Sequence, residues 1–229
     1  MNISTRLKTI ANMVDKCGVV ADIGTDHAYL PIYLIKQGIC KEAIASDINK
    51  GPVERASENV RREGLDSKIC CKLGSGFNTL KPGDADCAII AGMGGNLIRD
   101  IIEDKKEVFE NLNYAIFQPV QNPEVLRRYI YDKGFEVIDE ELCIDDNKFY
   151  EIIKVRYSEK PRDVEDIYYE IGEKLVEKKH ALLNKYIEYK LEKYNNIIKY
   201  ISEDTELAEK RKQYIWDKIK KMEDLLKCL

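Results

Sequence analysis

The chain lacks most of the features that would assign it quickly. It has no C-x-x-C pair, and its two histidines, His27 and His180, lie far apart. Paired ligand spacing is therefore missing, and no metal site is expected. The seven cysteines are odd in number and scattered, which points to reduced, mostly structural thiols. There is no G-x-G-x-x-G, so a dinucleotide pyrophosphate has no bare backbone to lie against. No apolar run approaches the length of a membrane span, and the amino terminus shows no signal-peptide pattern. The expected setting is the cytoplasm, with no membrane partner. The net charge of −4 excludes a strongly basic nucleic-acid binder and leaves only local patches for that role. Beyond Pro161 there is no further proline and only one glycine, Gly172.

What is present is organised around Val19-Val20-Ala21-Asp22-Ile23-Gly24-Thr25-Asp26-His27-Ala28-Tyr29-Leu30-Pro31. An apolar run ends in an acid and a glycine, a polar turn follows, and a helix-like segment begins. That order predicts a buried strand, a tight turn and a helix start, the ligand-binding corner of a doubly wound α/β domain. Asp26 and Ala28 stand where a dinucleotide site would have further glycines. A carboxylate at that turn repels a pyrophosphate and suits a cationic ligand. S-adenosylmethionine carries a sulfonium and an ammonium and no phosphate. A strand–turn–helix corner without a ligand is the alternative.

The flanking elements fit the same architecture. A helix capped near Ser4-Thr5 carries Leu7, Ile10, Ala11 and Val14 inward, and Arg6 on it is either a solvated charge or a substrate contact. The second strand, 42–46, ends at Asp47, about 20 residues beyond the first turn, where Rossmann-like sites hold ribose hydroxyls. Asp47 is otherwise a strand-end or capping aspartate. A helix over 49–63 leads to a third strand at 68–73 and then Gly74-Ser75-Gly76-Phe77, at the height of an adenine ring, with Phe77 able to pack on its face. An ordinary β-to-loop turn explains the same string. The fourth strand, 84–91, runs into Gly92-Met93-Gly94-Gly95, whose three glycines imply close backbone approach. The fifth, 112–117, precedes Gln118-Pro119, where Gln118 offers a donor and an acceptor to a base edge or simply makes a turn. Segments 135–143 and 149–157 flank Asp145-Asp146-Asn147-Lys148 and read as a closing hairpin. Five parallel strands plus that hairpin make a seven-stranded mixed sheet.

Composition changes at Ser158-Glu159-Lys160-Pro161. Beyond Ser158 the cations and anions balance, so the net charge resides in the first 158 residues. Leu183, Ile187, Leu191, Tyr194, Ile198 and Ile201 form one apolar stripe, and Ile215, Ile219, Met222, Leu226 and Leu229 another, with a polar turn at 202–205 between them. The spacing predicts two long helices in an antiparallel coiled coil. The predicted domains are thus 1–158 and 159–229. Lys210-Arg211-Lys212 and the tail tyrosines either form a solvated face or meet phosphates and bases.

Taken together, Asp22 to Pro31, Ala91-Gly92-Met93-Gly94-Gly95, Gln118-Pro119 and the helical hairpin closely resemble the TrmK family of bacterial tRNA (adenine-22-N1)-methyltransferases. The resemblance covers the whole chain, including Ser4-Thr5-Arg6-Leu7 and 145–151. It implies a class I Rossmann-like methyltransferase domain, a C-terminal coiled-coil domain, S-adenosyl-L-methionine as donor and tRNA as partner. By position, Asp22, Gly24, Asp26, His27 and Tyr29 would line the methionine side and Asp47 would hold the ribose. Ser75 and Gly76 would lie by the adenine, and Gly92 to Gly95, Met93 and Gly94 among them, by the target base. Ser75 stands where the family often has an acid. Asp26 is the candidate for electrostatic stabilisation, with Met93, Gly94 and Gln118 beside the reacting atoms and His27 and Tyr29 as positioners. Arg6, Lys210, Arg211 and Lys212 are the candidate tRNA contacts, and a monomer or weak dimer is expected. A methyltransferase of another RNA or a small molecule, and a non-catalytic binding protein on the same scaffold, are the rival classes.

Overall fold

The computed structural model describes residues 3–201 and 205–229. Asn2 of the capping stretch and residues 202–204 of the expected tail turn lie outside the described residues. The chain divides into two compact units, Met1–Asp163 and Val164–Leu229.

The first unit opens with α1 (Thr5–Asn12), whose start is capped by Ser4: its hydroxyl accepts from the Leu7 N–H at 3.3 Å. Then β and α segments alternate: β1 (Cys17–Ile23), α2 (Tyr29–Lys36), β2 (Cys40–Asp47), α3 (Lys50–Arg62) and β3 (Ile69–Leu73). A short 3-10 turn at Gly76–Thr79 precedes β4 (Cys87–Gly94), α4 (Gly95–Asp104), α5 (Lys106–Glu110), β5 (Tyr114–Gln121) and α6 (Pro123–Asp132). The hairpin of β6 (Phe135–Asp145) and β7 (Lys148–Tyr157) closes the unit. The strand order is β3-β2-β1-β4-β5-β7-β6. The first five strands are parallel, and β7 runs antiparallel to both β5 and β6. The second hairpin strand therefore inserts beside β5, and the first becomes the sheet edge. The runs Val20-Ala21 and Cys87 to Ile90 have almost no exposure, as strands covered on both faces require.

Several strand boundaries differ from those expected from the sequence, β1 and β4 among them. β1 begins two residues earlier, at Cys17, because Cys17 pairs with Cys40. β4 begins at Cys87 rather than Asp84, whose carboxylate accepts from the Lys81 N–H in the preceding turn. At its far end β4 continues through Gly92-Met93-Gly94, because β5 pairs with it past Ala91 across two register shifts. Gly95 then packs so tightly under the β5–α6 turn that a Cβ would stand 2.2 Å from the Asn122 carbonyl oxygen.

Both cores are conventional except for their buried charges. In the first unit the fully buried Arg127 of α6 sits between Glu140 of β6 (2.7 Å) and Glu151 of β7 (2.7 Å) and so ties the helix to the hairpin. The second unit consists of α7 (Asp166–Ile171), α8 (Glu173–Glu177), α9 (Leu183–Tyr200) and α10 (Glu206–Cys228). Leu183 and Ile187 of one stripe and Ile215, Ile219 and Met222 of the other are buried. The two short helices were not expected. They bring Glu170 into the interior, where it accepts from the Tyr194 hydroxyl (2.7 Å) and pairs with Lys190 (3.3 Å) and Lys218. Among the described residues no helix is long and apolar enough to cross a membrane.

Candidate functional site

The carboxyl ends of β1 and β4 frame a cleft of about 310 Å³, lined by residues of α1, the β1–α2 loop and the end of β4. Its floor is the turn after Ile23. Gly24 has φ +81°, a backbone state that L side chains rarely adopt, and a Cβ there would meet the Met93 methyl group at 2.1 Å. The Gly24 and Thr25 amides both donate to the Ser46 carbonyl (2.8 Å each), so the end of β2 fixes the turn. The Thr25 hydroxyl accepts from the Ala28 N–H at 3.1 Å, and Ala28 itself sits in the left-handed region at φ 55°. This pins the entry into α2.

Asp22, the last acid of β1, lies in the cleft wall with 8% exposure. Burial pushes its carboxyl up to about 6; the Thr25 hydroxyl opposes that, and the nearby Asp47 carboxylate adds to it. A buried carboxylate in this state gains most from a cation placed beside it. Asp47 ends β2 and accepts from the Asn49 N–H at 2.7 Å, which orients it at the start of α3.

Asp26 is exposed and already partnered. Its Oδ1 accepts from Arg55 Nη2 at 2.7 Å, and its Oδ2 lies 3.2 Å from His27 Nε2. The His27 ring stacks on Tyr29, with centroids 4.9 Å apart and planes 11° from parallel. Asn59, one helical turn beyond Arg55 on α3, donates to the His27 carbonyl at 3.0 Å. Thr25, Arg55 and Asn59 escaped the sequence reading. The i, i+4 spacing of Arg55 and Asn59 is legible, but the face it presents to this loop is set by the packing of α3.

At Gln118 and Phe77 the sequence leaves two readings open, and the side-chain contacts favour the plainer one at each. Gln118 does not present a free amide to a base edge, because it is fully buried. Its Oε1 accepts from Arg6 Nη1 (2.7 Å) and its Nε2 donates to the Pro119 carbonyl (3.0 Å), so its polar capacity goes to holding Arg6. Phe77 does not offer its ring to the Gly74-Ser75-Gly76 turn. It is 1% exposed and stacks with Phe109 at 6.2 Å, because the 3-10 turn directs it into the core. Ser75 remains exposed beside Gly76, whose φ is +51°.

Arg6 does reach the cleft. Its guanidinium lies 5.5 Å from the Tyr150 ring centroid, its backbone N–H donates to Asp145 Oδ2 (3.2 Å), and it faces Gly92, whose φ is +81°. Met93 covers Gly24, and Gly94 starts α4 against Gln121. Lys210 and Lys212 pair with Glu206 (2.6 Å) and Glu209 (3.0 Å) on their own helix, while Arg211 is exposed. Among the described residues no group of three or more His, Cys, Asp and Glu side chains is placed to hold a metal ion.

Residues 20–224 match the family model for tRNA (adenine(22)-N(1))-methyltransferase, TrmK. The chain belongs to the TrmK family. It is 31% identical to the Bacillus subtilis (strain 168) tRNA (adenine(22)-N(1))-methyltransferase over 99% of this chain and 98% of that one. Among solved structures, an uncharacterised Listeria monocytogenes protein superposes with a TM-score of 0.92 at 30% identity, covering 98% of this chain and all of that one. Streptococcus pneumoniae Sp1610 in complex with S-adenosyl-L-methionine gives a TM-score of 0.87 at 30% identity, covering 98% of this chain and 100% of that one. The seven-stranded sheet is thus the Rossmann-like methyltransferase sheet, here as a TrmK chain with C-terminal helices.

Proposed function

We propose that this TrmK-family chain transfers a methyl group from S-adenosyl-L-methionine to N1 of adenine 22 in tRNA. The observation that carries the reading is the family match over residues 20–224, joined to a cleft whose wall holds the buried carboxylate of Asp22. The residues fit such a donor. Gly24, at φ +81°, lets the turn pass close under Met93 at the cleft, and Asp22 gives a cationic group a carboxylate to neutralise. In this reading Asp22, Gly24, His27 and Tyr29 take the methionine end, Asp47 the ribose, and Ser75 with Gly76 the adenine. Gly92, Met93 and Gly94 form the floor under the target base.

The donor supplies an electrophilic methyl group on a sulfonium. Adenine N1 has an in-plane lone pair and carries no proton, so attack needs no general base. The product base is cationic. The protein's task is then alignment and charge stabilisation. Asp26 is the carboxylate nearest that task. Its contact with Arg55 tempers its charge and fixes its orientation. Arg6, braced by Gln118 and Tyr150, is suited to a tRNA phosphate or to the edge of the turned-out base. Met93 holds the Gly24 turn and the floor together.

The helical unit, read as an antiparallel coiled coil, serves as an arm for the folded RNA, with Lys210, Arg211 and Lys212 as its basic contribution. The working form is a monomer or weak dimer. The decisive experiment supplies labelled S-adenosylmethionine and unmodified tRNA, then identifies and locates the modified nucleoside. N1-methyladenosine at position 22 supports the reading. Label at another atom or position refutes it.

A further inference from the structure

Three thiols converge at the end of the sheet opposite the cleft. Cys17 opens β1 and Cys40 opens β2, and the two are direct register partners in the parallel pair. Cys87 opens β4 on the other side of β1. The Cys17 and Cys40 sulfurs are 3.1 Å apart, and the Cys17 and Cys87 sulfurs 3.9 Å. Six residues of β1 separate Cys17 from Gly24, about 20 Å along the strand. The methyl-transfer reading makes no use of these groups.

The geometry favours one pair. Neighbouring strands lie about 4.8 Å apart, within the roughly 4.4–6.8 Å Cα separation a disulfide tolerates. Residues in register therefore need only side-chain rotation to bond. Cys87 is in register with Val20, not with Cys17, so its backbone is offset along the strand. Access is also unequal. Cys17 is partly exposed, while Cys40 and Cys87 are 4% and 0% exposed.

We propose that Cys17 and Cys40 form a peroxide-responsive dithiol, with Cys17 as the attacking thiol and Cys40 as the resolving one. The thiolate is the reactive form. The Cys87 thiol hydrogen-bonds to Cys17 and, against burial, holds it down to about 7. Burial pushes Cys40 the other way. Cys17 attacks one oxygen of hydrogen peroxide: an S–O bond forms, the O–O bond breaks, and the departing hydroxide takes a proton and leaves as water. Cys17 is then a sulfenic acid. The Cys40 sulfur attacks the Cys17 sulfur, the S–O bond breaks, and the second hydroxide leaves as water with the Cys40 proton. Two thiols are oxidised to one disulfide, and one peroxide is reduced to two waters. In a reducing compartment such a bond is transient, as redox-sensing disulfides are.

The test uses the full-length, fully reduced protein. It is treated with one equivalent of hydrogen peroxide, its remaining thiols are blocked with N-ethylmaleimide, and its peptides are mapped by mass spectrometry. A Cys17–Cys40 linked peptide that dithiothreitol dissolves is expected. In Cys40→Ser, dimedone should label Cys17 and no linked peptide should form. In Cys17→Ser, both signals should disappear. The proposal fails if the wild-type chain gives no linked peptide or links Cys17 to Cys87. It fails also if dimedone labels the exposed Cys70 or Cys228 in Cys40→Ser and leaves Cys17 unlabelled.

Discussion

Donor binding should weaken as pH falls, and Asp22 sets the window. Burial raises its carboxyl from 3.8 to about 6 in the folded protein. The sign for stability is that of an acid with a raised folded value. Its contribution is greatest below 3.8 and is lost as pH rises through about 6. Near neutral pH the folded protein therefore carries an unfavourably buried carboxylate, and a cation docked beside it relieves that cost. Protonation removes the attraction. With a value of about 6, roughly nine-tenths of Asp22 is ionised at pH 7 and roughly one-tenth at pH 5, so affinity should fall about tenfold between them. Isothermal titration calorimetry with S-adenosylhomocysteine at pH 5, 6 and 7 reads this directly. Repeating the pH 6 titration in buffers of different ionisation enthalpy should count about half a proton released per ligand bound. Asp22→Asn should bind weakly and show no slope over this range. The same titrations in a His27→Gln background take the neighbouring imidazole out of the comparison. A flat wild-type profile, or a slope that survives in Asp22→Asn, would refute the role given to Asp22.

Three further outcomes are expected. Gly24→Ala forces an L residue to φ +81° and a Cβ against the Met93 methyl, so thermal unfolding should show a loss of about 1–2 kcal/mol and calorimetry weaker donor binding; unchanged donor affinity would remove Gly24 from the site. Arg127→Met removes the buried guanidinium between Glu140 and Glu151 and should cost about 3–5 kcal/mol in chemical denaturation, against the small effect expected of a surface arginine such as Arg156→Met. In the helical unit, burial would raise Glu170, but Lys190 and Lys218 overcome it and hold it down to about 2, below the usual 4.5. The stability this gives is full above 4.5 and is lost as pH falls towards 2. The single tryptophan, Trp216, lies on α10, so its fluorescence should report unfolding that shifts across this window in the wild type and not in Glu170→Gln.

Much of the molecule was legible because its signals are local. The run from Val19 to Ile23, the turn glycine Gly24 and the apolar periodicity of α1 each depend on neighbours a few residues away. Buried parallel strands read as continuous apolar runs, so the five parallel strands and the hairpin were countable. The strings from Asp22 to Pro31 and from Ala91 to Gly95 also carried the family assignment. The breaks in the reading occurred where a local cue competed with a distant partner. Three glycines argued that β4 stops at Ala91, yet pairing with Pro119 and Gln121 of β5 extends it.

What only the tertiary structure decided depends on contacts between residues far apart in the chain. Gln118 looked free until Arg6, 112 positions earlier, took its carbonyl oxygen. Asp26 read as a carboxylate suited to a cationic ligand, and the fold gives it a cation of its own chain, Arg55 on α3. Phe77 could have faced a ligand ring or belonged to an ordinary turn until its stacking on Phe109 placed it in the core. The insertion of β7 between β5 and β6, the Arg127 ion pairs, the Glu170 cluster and the convergence of Cys17, Cys40 and Cys87 likewise leave no periodic mark. The sequence by itself determined the order of elements, the strand–turn–helix corner and the family, because propensity, turn chemistry and motif spacing are short-range. Which polar groups are spent on one another and which remain for chemistry was decided by folding, because burial and pairing are properties of the assembled sheet and helices.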